Sequence, residues 1–180
     1  MRFRNPFKSA PLDGPVREAY AAVVGQARRP WFYRDLGVPD TADARFEMVA
    51  LHAFLVMRRL GREGEAARGF AQDLFDLMFT DMDENLREMG VGDLSVGKRI
   101  RKLAEGFYGR VASYEKALDS GDRAARRAAR ARNVHRGAPA PGADLEGLAD
   151  YVARADARLA AWPARAVLEG RVDFGGETAP

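Results

Sequence analysis

The stretch that most resembles a chemical motif is Gly92-Asp93-Leu94-Ser95-Val96-Gly97-Lys98, which has the G-x-x-x-x-G-K spacing of a phosphate-cradling loop. In such a loop the backbone N–H groups surround the phosphates after a buried strand. The lysine reaches the terminal phosphates and a following Ser or Thr holds magnesium. Here a helical pattern precedes the glycines and Arg99 follows Lys98. Two parts of nucleotide chemistry are therefore missing. The two histidines, His52 and His135, stand alone and belong to no H-E-x-x-H or E-x-x-H pattern that would ligate zinc or a carboxylate-bridged di-iron pair. His52 lies in an apolar run, seven residues from both Arg45 and Arg59. It is expected to be a core histidine satisfied by a hydrogen bond, against the alternative of a haem ligand. With no cysteine there is no thiolate nucleophile, thiolate metal site or disulfide. Asp73, Asp76, Asp81, Asp83, Glu84 and Glu88 gather without a nucleophile or a pocket signal and read as a solvated face. No catalytic, cofactor-binding or metal-ligating set is expected. The chain reads as a protein that binds something.

Charge points to where it binds. Asp81, Asp83, Glu84 and Glu88 fall near the C-terminal end of one predicted helix, and Lys98, Arg99, Arg101 and Lys102 open the next. Both placements oppose the helix dipole. Across the short turn Gly90–Leu94 the two sets either pair and lock the helices or offer a charged surface to a partner. The favoured expectation is pairing of Asp83, Glu84 and Glu88 with Lys98, Arg99 and Lys102, with a partner contact beside it at Asn85 and Arg87. A second charged feature is the segment DRAARRAARARNVHRG, where Arg123, Arg126, Arg127 and Arg130 share one helical face. That face suits RNA, anionic lipid or an acidic protein, or only solvent. Few aromatics interleave, so neither base stacking nor sequence-specific nucleic-acid binding is expected. The candidate partner-binding residues are thus Asp83, Asn85, Arg87, Glu88, Gly90, Gly92, Asp93, Lys98, Arg99, Arg126, Arg130 and Arg132.

The elements that must position them are helical throughout. The chain has 180 residues, 47% hydrophobic, with a net charge of +3, enough for one sizeable core. Of its 29 basic residues 25 are arginine, a bias that a GC-rich genome also produces, together with the many alanines. No run approaches the roughly 20 apolar residues of a membrane span, and the basic start lacks a signal-peptide core. Val16, Tyr20, Val23 and Val24 mark a first helix from Pro15. Trp31–Leu36 reads as a short turn closed by Gly37, with a cap at Asp40 or Thr41. Between Phe46 and Met57 only Glu47 and His52 are polar, which marks residues 45–60 as the central helix. Phe75, Phe79, Met82, Leu86 and Met89 form the buried stripe of a helix from Glu65, ended by Gly90. Ser95 is expected to cap a helix carrying Val96, Ile100, Leu103, Phe107, Val111, Tyr114 and Leu118. Asp144 should cap a last one, carrying Leu145, Leu148, Val152, Ala155, Leu159 and Trp162, before Pro163. The expectation is an all-α, irregular helical bundle of about six to seven helices around the apolar helix 45–60. It divides into a flexible arm 1–14, a helical domain 15–137, a linker 138–143, a C-terminal helix 144–169 packed on the domain, and a tail 170–180. The tail is mobile unless Val172 and Phe174 dock.

Three segments together resemble the ubiquinol–cytochrome c chaperone family: FYRDLGVPDTADARFEMVALHAFLVMRRL at 32–60, AQDLFDLMFTDMDENLREMGVGDLSVGKRIRKLAEGFYGRVASYEKAL at 71–118, and RNVHRG at 132–137. The Leu51-His52 pair, the LREMGVGDLSVGKR turn and Arg132-Asn133 carry the likeness, which is nearest to the short, single-domain bacterial members. In the longer mitochondrial members a tryptophan usually precedes the Arg-Asn pair, and here Ala131 stands there. The resemblance implies an assembly chaperone without cofactors, cytoplasmic or peripheral to the inner face of the cytoplasmic membrane. It implies nascent or newly inserted cytochrome b of ubiquinol–cytochrome c reductase as client, with a small partner protein, the ribosome and the membrane surface as further partners. The alternative is a ribosome- or RNA-binding module that uses the basic helix Arg123–Arg136.

Overall fold

The apolar run becomes α3 (Ala42–Leu60), and the other helices are arranged around it. The computed structural model describes residues 14–120, 134 and 142–176. Thr41 starts α3 from extended backbone at φ −118°, its hydroxyl accepting the Ala44 N–H at 3.3 Å, which satisfies one of the orphan donors of the first turn. Every residue from Phe46 to Met57 is buried, Glu47 and His52 included. A helix with no polar face must be enclosed on all sides. Accordingly α1 (Gly14–Ala27), α4 (Glu65–Glu88), α6 (Leu145–Ala161) and α7 (Ala164–Leu168) pack directly on α3. Helix α5 (Asp93–Asp119) lies along α4 and reaches α3 through the Phe54–Tyr114 ring pair at 5.6 Å. The short α2 (Pro30–Arg34) begins on a proline, whose fixed φ suits a first turn. It inserts Phe32 against the rings of His52 and Tyr151, at 5.4 and 4.8 Å. Among the described residues there is no strand. The protein is an all-α, irregular helical bundle.

Gly37 carries a required backbone shape. Its φ is +65°, and a Cβ there would come within 2.7 Å of the Ala143 Cα. The close approach lets the Asp144 N–H donate to the Leu36 carbonyl at 3.1 Å. Asp144 then caps α6, accepting the Gly147 N–H at 2.8 Å.

Four details differ from the sequence reading or complete it. Ser95 is not the cap of α5. The helix begins at Asp93, behind Gly92, without a side-chain cap, because an acidic residue already satisfies the positive N-terminus. Met89 is not buried but 61% exposed. The stripe of α4 loses its cover as the helix passes the body, so Met82 and Leu86 are only half-buried and Met89 stands clear. On α5, Val96, Ile100, Phe107 and Tyr114 are buried while Leu103, Val111 and Leu118 are half-buried. Finally, the chain after α7 turns back onto the core and Phe174 docks, 6% exposed and 5.1 Å from the His52 ring. Asp173 holds it there by pairing with Arg158 and accepting the Gly175 N–H. The arginine-rich face with Arg126, Arg130 and Arg132 lies outside the described residues, as do the arm 1–13 and most of the linker.

Candidate functional site

Two places hold the residues singled out from sequence, and they differ in kind. The first is internal. His52 is fully enclosed, with Nδ1 2.7 Å from the Met48 carbonyl and Nε2 2.7 Å from the Tyr151 hydroxyl. A carbonyl only accepts, so Nδ1 carries the proton and Nε2 accepts from Tyr151. The Tyr151 oxygen in turn accepts from the buried Gln26 amide at 2.9 Å. The string ties α1, α3 and α6 together with each ring nitrogen satisfied and no open coordination position. Burial pushes the imidazole down to about 4, against a smaller upward pull from the Met48 carbonyl. His52 is therefore neutral at physiological pH and structural. Tyr151 was missed in the sequence because it lies beside the predicted stripe of α6. A tyrosine one position before Val152, on a helix facing a buried histidine, was the available signal.

A second polar pair joins α3 to α5, where the half-buried Arg110 donates to the buried Glu47 carboxylate. Gly106 makes room for it, since a Cβ there would stand 2.6 Å from an Arg110 guanidinium nitrogen. The same guanidinium lies 5.6 Å from the Phe46 ring. This too is an internal clamp. The P-loop-like spacing forms no loop at all, because residues 93–98 are the opening turns of α5.

The second place is the tip where α4 turns into α5, and it gathers Asp83, Asn85, Arg87, Glu88, Gly90, Gly92, Asp93, Lys98 and Arg99. Gly90, at φ +80°, ends α4, and Val91 closes the turn with its N–H on the Leu86 carbonyl at 3.0 Å. The expected pairing across the turn takes a different form. Arg87 donates to Asp83 one turn back at 2.5 Å and to Asp93 of α5, and the Asp83 carboxylate raises its pKa. One arginine at the C-terminal end of α4 and one aspartate at the N-terminal end of α5 thus relieve both dipole mismatches. Asn85 is engaged as well, donating to the Asp81 carbonyl at 2.6 Å. Arg87 and Asn85 are therefore not the groups left over. Among the described residues, Glu84, Glu88, Lys98, Arg99 and Lys102 form no ion pair, and all five are exposed. Asp93 is joined by Arg87 yet lies open to solvent.

The tip is firmly based. Tyr20 of α1 donates to Asp81 at 2.7 Å, its phenol pKa raised by burial and then by that carboxylate. Val96 and Ile100 are buried beneath the turn. Sequence reasoning missed Met89, which the heptad count placed in the core. Its position one residue before a helix-ending glycine, beyond the last strong core pair, was the signal. The tip is thus a fixed platform carrying one exposed thioether among unpaired charges of both signs. Such a surface suits docking rather than chemistry. Among the described residues no group of three His, Asp or Glu side chains could hold a metal ion, and no helix is long and apolar enough to cross a membrane.

Comparison with known proteins gives this architecture its relatives. The family model described as ubiquinol-cytochrome C chaperone matches residues 34–174. Ubiquinol-cytochrome-c reductase complex assembly factor 1 of Xenopus laevis is 24% identical over 104 residues, covering 58% of this chain and 52% of that protein. The Drosophila melanogaster protein of the same name is 26% identical over 109 residues, covering 58% and 42%. The human one is 24% identical over 103 residues, covering 57% and 34%. The chain therefore spans about half or less of the length of the curated relatives it matches. The crystal structure of the Cbp3 homolog from Brucella abortus superposes with a TM-score of 0.83 at 36% identity, covering 92% of this chain and 91% of that one.

Proposed function

The chain belongs to the ubiquinol–cytochrome c chaperone family, and from that premise we propose that it assists assembly of ubiquinol–cytochrome c reductase by holding a newly made subunit through the α4–α5 tip. The subunit proposed is cytochrome b, whose apolar surface needs cover before the complex is complete. The observation that carries the contact surface is Met89, 61% exposed on an anchored turn and flanked by unpaired Glu88, Lys98 and Arg99. A flexible, polarizable side chain adapts to varied apolar partners, and surrounding charges of both signs set register. The relatives' printed names support the assembly role.

Deleting the gene should lower the assembled reductase while transcripts of its subunits stay normal; a normal level of complex in the deletion strain would refute the assembly role. Restoring the gene with Met89→Asp combined with Lys98→Glu and Arg99→Glu should give a protein that folds normally and fails to rescue. Rescue to wild-type levels would remove the tip as the contact surface and leave the assembly role standing.

A further inference from the structure

A cleft on another part of the surface has chemistry that the assembly role does not use. The end of α1, the short α2 and the first turns of α3 enclose a hollow of about 230 Å³ lined by Arg28, Pro30, Tyr33, Arg34, Asp40 and Arg45. Three arginines and one carboxylate line it. Asp40 accepts from the Arg45 Nε at 2.6 Å, which leaves the two terminal nitrogens of that guanidinium available. Among the described residues Arg28 and Arg34 have no acidic partner, and both are exposed. The lining thus carries two positive charges in excess, held in a concave wall rather than splayed on a convex face. The wall is fixed: the Tyr33 hydroxyl donates to the Ala27 carbonyl at 2.9 Å, and its ring lies 5.8 Å from the Arg45 guanidinium.

Like charges that line one cleft repel, and among the described residues no carboxylate pairs with Arg28 or Arg34. Guanidinium forks match phosphate oxygens in bidentate geometry and hold them more strongly than neutral donors do. A phosphate group, mono- or diester, offers several anionic oxygens to such donors, and its negative charge offsets the excess positive charge of the lining. The single aromatic ring in the cleft has Arg45 beside it, so no platform for base stacking is present. We propose that this cleft is a phosphate-binding site, formed by Arg28, Arg34 and Arg45 and occupied by free phosphate or the phosphodiester headgroup of an anionic lipid. It stands independently of the assembly role.

The full chain should be titrated with inorganic phosphate at constant ionic strength, chloride serving as the control, with the melting midpoint and amide NMR shifts around the cleft as readouts. Phosphate should raise the midpoint saturably where chloride does not. Arg28→Gln with Arg34→Gln should weaken binding by roughly tenfold or more, the scale of losing charge-assisted contacts. Asp40→Asn should strengthen it, because the competing carboxylate is gone; a purely structural change would not act in that direction. Vesicles of phosphatidylglycerol in phosphatidylcholine, against phosphatidylcholine alone, separate the two sources. Retention on the anionic vesicles, lost in the double variant, assigns the site to a lipid headgroup. Phosphate binding without such retention assigns it to a soluble phosphate. Equal effects of phosphate and chloride, or undiminished phosphate binding by the double variant, would overturn the proposal. So would retention on RNA that depends on these arginines while phosphate and vesicles have no effect.

Discussion

Acidification from pH 7 to pH 5 should weaken the fold through His52 by about 2 kcal/mol, and replacing that residue should remove this component. The imidazole is held neutral by full burial, its pKa pushed from 6.5 to about 4. A histidine depressed in the folded state contributes its full stability above the unfolded value. That stability is lost as pH falls from 6.5 towards 4, because the unfolded chain takes up the proton first. Each pH unit within that window is worth about 1.4 kcal/mol, and the total loss approaches about 3 kcal/mol below it. Protonation also disrupts the string physically. Nε2 accepts from the Tyr151 hydroxyl at 2.7 Å, and an imidazolium Nε2–H would instead donate to that oxygen, forcing the hydroxyl proton out of the contact it now makes. Urea unfolding at several pH values between 7 and 5, with a constant m value, supplies the assay. His52→Gln should be less stable at pH 7 and its stability should fall less on acidification. Carboxylates and His135 are common to both proteins and cancel in the difference. Parallel stability curves for the two proteins would refute the account.

Three further perturbations follow from the packing. Phe54→Ala should cost about 3–5 kcal/mol, since Phe54 is 2% exposed and borders a hollow of about 350 Å³ beside Met57 and Val111 that the truncation would enlarge; thermal melting checks it. Gly37→Ala should cost at least about 1–2 kcal/mol for the left-handed backbone alone, with more from the approach to Ala143, read from the urea midpoint. Arg110→Met should cost about 3 kcal/mol by taking the cation from the buried Glu47 carboxylate, and a loss no larger than a surface pair gives would contradict the clamp.

The fold was legible wherever burial is decided by local pattern. The run 46–57 has no polar face, so nothing but a central helix fits it, and Thr41, Asp144 and Gly90 punctuate the helices through their own chemistry. Legibility failed where the answer depended on how far a neighbour extends. Met89 keeps the spacing of Phe75 and Phe79, and periodicity holds no information about where the covering helices stop. Arg87 misled for a related reason. Counting charges on either side of the turn made three acids and three bases look like partners. The register of α5, which starts at Asp93 and not after Ser95, set Asp93 within reach of Arg87 and turned the remaining charges outward. The clamp between Glu47 and Arg110 joins residues 63 apart in sequence, and no spacing rule connects them. The cleft of Arg28, Arg34 and Arg45 was invisible for the same reason, because three arginines on three elements form no motif.

Helix α1 connects the two surfaces proposed for binding. Its Tyr20 clamps Asp81 at the base of the tip, and its C-terminal end leads directly into Arg28 of the cleft. The separation along the helix is eight residues, or about 12 Å at 1.5 Å per residue. Coupling through α1 would need the helix to shift between arrangements, and it is pinned on both the core side and the His52 side. Val16, Ala19, Val23 and Ala27 are buried along its length, and Gln26 is bound into the His52 string. A helix fixed at so many points transmits position rather than change. Occupancy of the cleft would therefore leave the shape of the tip unaltered, and the two surfaces would act additively. Any gain for a partner touching both would come from holding it twice, as effective concentration, and not from a switch between them.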